Sequence, residues 1–385
     1  MVIEKSVNTA PTNKPRLTGL DLLRLLAIIF VLGRHIIWPI PETWSGGWRV
    51  LLEAWKHMGW TGVDLFFVLS GFLVSGLLFS EYKSHGSLFI SRFYVRRWWK
   101  IYPPFFVLTM FFVCIQFFVG TIHWEWVLAE LLFVQNYFRG IWGIWEYTWS
   151  LAVEEHFYLL LPLTLLLILR RNQNSATPFK HILTLTGCVM AIAFVLRVLT
   201  AYYHPVYSYE QHLYPTHLRI DSLLFGVAIS YLYHFHDKKF VEVLHPWRRW
   251  LILGGCSLFI PAVIFELEET PFLYTAGFSI FALGSGMLLV GVLLSNIPSH
   301  PVINFLAKLG SYSYSIYLWH MPIRLVIVPV INSALGKSLG YGEQTVLYLI
   351  LSLVVGILMS KLVEWPVLRL RDRLFPSRTK KVVNL

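Results

Sequence analysis

What most constrains this chain is an apolar run of about twenty residues that recurs along it, the length a helix needs to cross the hydrocarbon core of a bilayer. The runs fall at roughly 20–40, 61–80, 101–119, 149–169, 181–201, 216–234, 250–266, 273–295, 309–331 and 344–364. Segments strung singly through lipid must satisfy their own backbone, and helices are the spanning element that does so. Composition agrees: 56% of the 385 residues are hydrophobic and 14% charged, and 16 Trp and 28 Phe exceed what a soluble core of this size holds. The expected fold class is an all-α integral membrane protein of about ten transmembrane helices.

The net charge of +11 invites a nucleic-acid partner. Its distribution argues against one, because the basic residues fall in alternate loops. On one side lie Lys5, Lys14 and Arg16, then Lys83, Arg92, Arg96, Arg97 and Lys100, then Arg170, Arg171 and Lys180. Lys238, Lys239, Arg248 and Arg249 follow, and the C-terminal stretch adds Arg369, Arg371, Arg373, Arg378, Lys380 and Lys381. The opposite loops hold Arg49, Lys56, Arg139 and Lys337. That asymmetry expects both termini in the cytoplasm. The organisation read from it is a cytoplasmic tail over 1–15, one membrane domain over 16–376 and a basic cytoplasmic tail over 377–385. Met1 to Arg16 is polar and the first apolar run lacks a small-residue cleavage site, so no cleavable signal peptide is expected. Trp124 to Tyr137, short and Trp-rich with interspersed Glu, reads as an interfacial amphipathic helix. Cys114, Cys188 and Cys256 sit in apolar runs without metal-ligand spacing and are expected as small buried hydrophobes.

Within this apolar background the ionisable residues are the functional candidates. The first span, GLDLLRLLAIIFVLGRHIIWPI, carries Asp21, Arg24, Arg34 and His35. Arg24 and His35 return to within about 20° of one helix face, roughly 16 Å apart along the axis. A structural reading competes: Arg24 snorkels or pairs with Asp21 one turn earlier, and His35 caps the far end. With the termini inside, Asp64, Glu154, Glu155, the Arg219/Asp221 pair and His320 join His35 in the outer half. Ser70, Gly71 and Ser75 are expected to let a neighbouring helix approach. Arg24, the cluster Arg96, Arg97 and Lys100, and the C-terminal arginines gather at the cytoplasmic side. Positive-inside anchoring explains the last group, whereas the compact cluster suits a phosphate.

These residues sit in motifs that resemble the acyltransferase-3 family of integral membrane acyltransferases, which includes O-antigen and nodulation-factor acetylases. The motifs are Arg24-x10-His35, GVDLFFVLSGFL at 62–73, RRWWKIYP at 96–103, TWSLAVEEHFYLLLPL at 148–163, RIDSLLFG at 219–226, LGSYSYSIYLWHMP at 309–322 and EWP at 364–366. They run in order over about residues 16–373. The resemblance implies that Arg24 and His35 are essential and that the basic motif takes part. Lys100 stands where the family has a last Arg, and His156 where it has Gln, which leaves the role of His156 open.

The resemblance further implies transfer of an acyl group, usually acetyl, from acyl-CoA to a glycan hydroxyl, in the cytoplasmic membrane of a bacterium. Acyl-CoA enters as donor substrate, with no tightly bound cofactor and no metal. In this reading Arg24, Arg96, Arg97 and Lys100 hold the donor. His35 is the general base, with a covalent acyl-histidine as the variant route. Asp64 or Glu154 orients its ring, and Glu155, Arg219, Asp221 and His320 are candidates for the acceptor side. A transporter or flippase without chemistry is the rival class, since intramembrane charge at two depths suits a carrier too. The acceptor, the acyl length and the oligomeric state are not encoded legibly.

Overall fold

A computed structural model describes residues 18–138, 146–172, 175, 177–336 and 339–376. Both proposed tails lie outside the described residues, with Lys5, Lys14, Arg378, Lys380 and Lys381, and so do Arg16 at the start of the proposed membrane domain and Arg139 and Lys337 of the loops. Among the described residues the secondary structure is helical, with no strand. Eight of the helices are long and apolar enough to cross a membrane. Two shorter ones, Thr18–Arg34 and Ile220–Phe235, cover the remaining apolar runs. The protein is a multi-pass helical membrane protein.

The elements used below are α1 (Thr18–Arg34), α2 (Gly62–His85), α3 (Ile90–Val119), α4 (Trp149–Arg171), α5 (His181–Tyr203), α6 (Ile220–Phe235), α7 (Arg248–Ser257), α8 (Phe278–Leu293), α9 (Ser313–Pro322) and α10 (Tyr341–Met359). The first of them stops short of the expected 20–40 span. Pro39 and Pro41 disfavour helix just downstream, and His35 falls in the turn that follows. By contrast α3 starts well before its apolar run, so the whole basic cluster Arg96-Arg97-x-x-Lys100 is helical.

Helix α2 is the centre of the bundle, packed against α1, α4, α6 and α8. Lipid removes the hydrophobic drive between helices, so close approach depends on small residues. A Cβ at Gly71 would lie 1.9 Å from the Leu223 carbonyl oxygen, and one at Gly226 2.2 Å from that of Val68. Of the expected packing residues, Gly71 fills that role against α6. Ser75 hydrogen-bonds back to the Gly71 carbonyl at 2.6 Å, while Ser70 faces a cavity.

Three π-turns occur among the described residues: Leu273–Gly277 leads into α8, and α9 and α10 run on into Ile323–Ile327 and Ser360–Glu364. The last two lie just before a proline, Pro329 or Pro366, whose missing N–H interrupts the ladder. The expected amphipathic helix is shorter than its run, Trp124–Leu131. Its Trp124 is exposed, but Glu130 turns inward and accepts from the Thr148 hydroxyl at 2.7 Å. The three cysteines are free but exposed, contrary to the buried expectation. An apolar run in a membrane bundle has an apolar outside as well as an apolar core.

Candidate functional site

His35 occupies the turn that ends α1. Its Nδ1 lies 2.9 Å from the Val31 carbonyl, one of the acceptors left open at a helix C-terminus. A carbonyl only accepts, so Nδ1 carries the proton and Nε2 keeps its lone pair. The capping reading and the functional reading are therefore compatible: the cap sets the tautomer. The His320 ring packs edge-on against His35, centroids 4.9 Å apart, and its own Nδ1 is held by the Tyr317 carbonyl. His320 is fully buried.

Beside His35 opens a cavity of about 420 Å³ whose wall includes Arg34, Trp60, Glu146, Trp149, Tyr214 and Arg324. Arg34 donates to Glu268 and to the Tyr209 hydroxyl at 2.8 Å, and Tyr214 donates to Glu146. Glu268 lies in the loop between α7 and α8. Burial pushes its carboxyl up, but Arg34 and the Tyr209 hydroxyl outweigh that and hold it below its ordinary value.

A second cavity, about 140 Å³, lies further toward the start of α1 and is rich in ionisable groups: Arg24, Arg97, Lys100, Glu154, Glu155 and Glu364 line it. Arg24 bonds to Asp21 at 2.7 Å, so the expected ion pair forms and Arg24 still borders the cavity. Ser70 donates to Glu154 at 2.6 Å. The Arg97 guanidinium stacks on the Tyr158 ring at 3.6 Å, and its buried Nε has no hydrogen-bond partner. Next to this cavity a groove of about 270 Å³ adds Arg92, Arg96 and Arg371, sharing Arg97 and Lys100 with it. Arg96 donates to the Phe375 carbonyl and to Asp372 at 3.0 Å, which ties the start of α3 to the end of the described chain.

The two cavities share Val63 and Tyr317 in their walls. Tyr317 is fixed there: its hydroxyl pairs with Ser150 at 2.7 Å and donates to the Tyr147 carbonyl.

Several expected placements are corrected. Asp64 does not reach His35; it accepts from Arg219 at 2.7 Å, while Asp221 accepts from Arg197 at 2.9 Å. All four side chains are essentially inaccessible, and Arg219 also lies over the Phe278 ring at 3.7 Å. Neither Arg219 nor Asp221 lines the His35 cavity, because the four charges neutralise one another inside the helix packing. Glu154 and Glu155 border the Arg97 cavity rather than that of His35. The ring is oriented by a backbone carbonyl instead of a carboxylate. His156 bonds to Thr216 at 2.7 Å and lines a third, lateral cavity with Trp98 and Tyr102.

Sequence reasoning assigned no role to Arg34, Glu146, Arg197, Glu268 or Arg324. The two span arginines Arg197 and Arg324 carried a legible signal, a charge inside an apolar run. The loop acids carried none, since Glu268 meets its partner 234 residues away in sequence.

Comparison with known proteins places this geometry in context. The family model described as an acyltransferase domain matches residues 17–362. A peptidoglycan O-acetyltransferase, OatA of Listeria monocytogenes, is 28% identical over 342 residues, covering 82% of this chain and 50% of its own. A Staphylococcus aureus protein, provisionally named an O-acetyltransferase, is 26% identical over 339 residues, 79% of this chain and 50% of that one. The chain thus spans about half the length of the curated relatives it matches. No solved structure matches it.

Proposed function

The chain belongs to the acyltransferase-3 family, and from that premise we propose that it moves an acyl group, most simply acetyl, from a coenzyme A thioester to a hydroxyl of a cell-surface saccharide. One observation carries the reading: a cavity that shares Arg97 and Lys100 with a cationic groove meets a cavity lined by His35 at Val63 and Tyr317. Arg24, Arg97 and Lys100, with Arg92, Arg96 and Arg371 in the adjoining groove, hold the phosphates of the donor. Unpartnered buried nitrogens on Arg92 and Arg97 support that assignment, since phosphate oxygens satisfy such donors.

The thioester end of the pantetheine arm is directed toward the shared wall. His35 Nε2 accepts the proton of the acceptor hydroxyl as its oxygen attacks the thioester carbonyl. The tetrahedral adduct collapses by releasing the CoA thiolate, which takes the proton back from the imidazolium. The bonds formed and broken balance as ester plus free thiol. The Val31 carbonyl supports the charge on the ring while it holds that proton.

The membrane arrangement we propose has ten crossings, the eight long helices plus α1 and α6, with both termini cytoplasmic. Loop charge supports it, as does the contact of Arg96 with Asp372, just beyond the last span. The donor groove then faces the cytoplasm, where acyl-CoA is made, and the His35 cavity faces outward. The membrane is that of a bacterium, as for the relatives.

Detergent-purified protein given acetyl-CoA and a saccharide acceptor should release free thiol, and His35→Ala should not. Equal thiol release by the two proteins would defeat the reading. A reporter fused after Leu385 that works only outside the cytoplasm would defeat the topology.

A further inference from the structure

Arg324 lies one helical turn beyond His320, the imidazole packed on His35, and lines the same cavity. It sits within the π-turn Ile323–Ile327, a widening of the kind that accumulates at functional sites. Of the charged side chains in that wall, Arg34 is ion-paired with Glu268 and bonded to Tyr209, and Glu146 accepts from the Tyr214 hydroxyl. Arg324 feels the field of Glu146 across the cavity but makes no ion pair among the described residues. Its Nε is buried without a hydrogen-bond partner among the described residues, and its Nη1 reaches only the Met321 sulfur, at 3.6 Å. A guanidinium that keeps a buried Nε unpaired and no bonded carboxylate at the edge of a cavity leaves donors for an incoming anion to satisfy. The surrounding wall is aromatic, with Trp60, Tyr147 and Trp149. Its volume of about 420 Å³ suits a small sugar unit.

We infer that the acceptor is an anionic saccharide whose carboxylate or phosphate pairs with Arg324 while one of its hydroxyls rests at His35 Nε2. The inference rests on the acyl-transfer reading for the assignment of this cavity to the acceptor. The planar guanidinium matches either oxyanion through two parallel hydrogen bonds, which a neutral sugar cannot return. Arg324 is then the residue that selects the acceptor, and His35 the residue that activates it.

Calorimetry on the purified full chain tests this with three probes that differ in charge: N-acetylmuramic acid, N-acetylglucosamine 1-phosphate and N-acetylglucosamine. At least one anionic sugar should bind on the order of tenfold or more tighter than the neutral one. Arg324→Gln should bring that sugar to the neutral level, and Arg324→Lys should retain part of the preference. The anion that shows the dependence names the group, carboxylate or phosphate. Equal affinity for all three, binding of none, or a preference that survives in Arg324→Gln would overturn the inference. Should Arg324→Gln fail to accumulate, the wild-type ranking and Arg324→Lys decide. Thiol release from acetyl-CoA in the same preparations reports on the acyl-transfer reading separately. Thiol release without an anion preference sinks only this inference; an anion preference without thiol release sinks that reading instead.

Discussion

The charges of Arg197, Asp221, Arg219 and Asp64 and those around the two cavities come from the same residue types on the same kind of helix. In the first group each guanidinium meets a carboxylate within 3 Å and none is reachable from outside. Individual buried polar atoms lack a hydrogen-bond partner in both groups, but in the second Arg97, Arg324 and Glu155 make no ion pair among the described residues, and each borders open space. What separates structure from function here is the state of pairing, since both groups lie among apolar spans. A closed set of charges holds α2, α5 and α6 together; an incomplete set awaits a ligand.

That contrast can be broken most severely at His35. In the wild type Nε2 is free to take a proton, so His35→Ala should lower kcat for acyl transfer by on the order of 10²–10⁴, with donor binding retained. Turnover and CoA titration on one preparation check both halves. Next comes the sealed cluster. Asp64→Asn leaves Arg219 facing a neutral amide in a dry site and should destabilise the fold by about 3–5 kcal/mol. Thermal unfolding in detergent reads it; a stable protein with altered acceptor kinetics would move Asp64 back into the functional set.

The donor groove follows. Arg97→Gln should raise the donor KM by on the order of 10–100-fold with kcat less affected. Arg96→Gln should do less, because Arg96 already spends hydrogen bonds on Asp372 and the Phe375 carbonyl. Initial rates across acetyl-CoA concentration separate the two, and equal effects would argue against pairing as the criterion. The smallest effect belongs to Glu268, whose folded-state carboxyl is held below its ordinary value. Its contribution is present above the unfolded value and is lost as pH falls through the lowered one. Glu268→Gln should therefore cost some stability near neutrality and flatten the decline toward about pH 4. Unfolding midpoints at the two pH values measure it.

Much of this was legible in the chain. The apolar runs located the helices, and the basic motif located the arginine-rich groove, because length and local charge are properties of neighbours in sequence. The depth argument placed Arg24 and His35 at two levels, and they border two cavities. Partnership was not legible. Asp64 and Glu154 looked equally fit to orient His35, and only packing shows that one is neutralised by Arg219 and the other faces Ser70. The ring's true partner, a backbone carbonyl, has no signature in side-chain identity. Arg324 reads as a span charge like Arg197, and the presence of Asp221 beside only one of them distinguishes their roles.

The wall at Val63 and Tyr317 has an electrical meaning. Two aqueous inlets from opposite faces, as proposed, shorten the insulating path through the protein to that partition, so the membrane voltage falls mostly there. Moving one elementary charge through the full drop involves about 2.3 kcal/mol per 100 mV. A proton or an anionic sugar crossing alone would involve that work. In the proposed reaction an acyl group moves outward as one proton moves inward to the thiolate, so the net exchange carries no charge and its equilibrium does not depend on the cell's energised state.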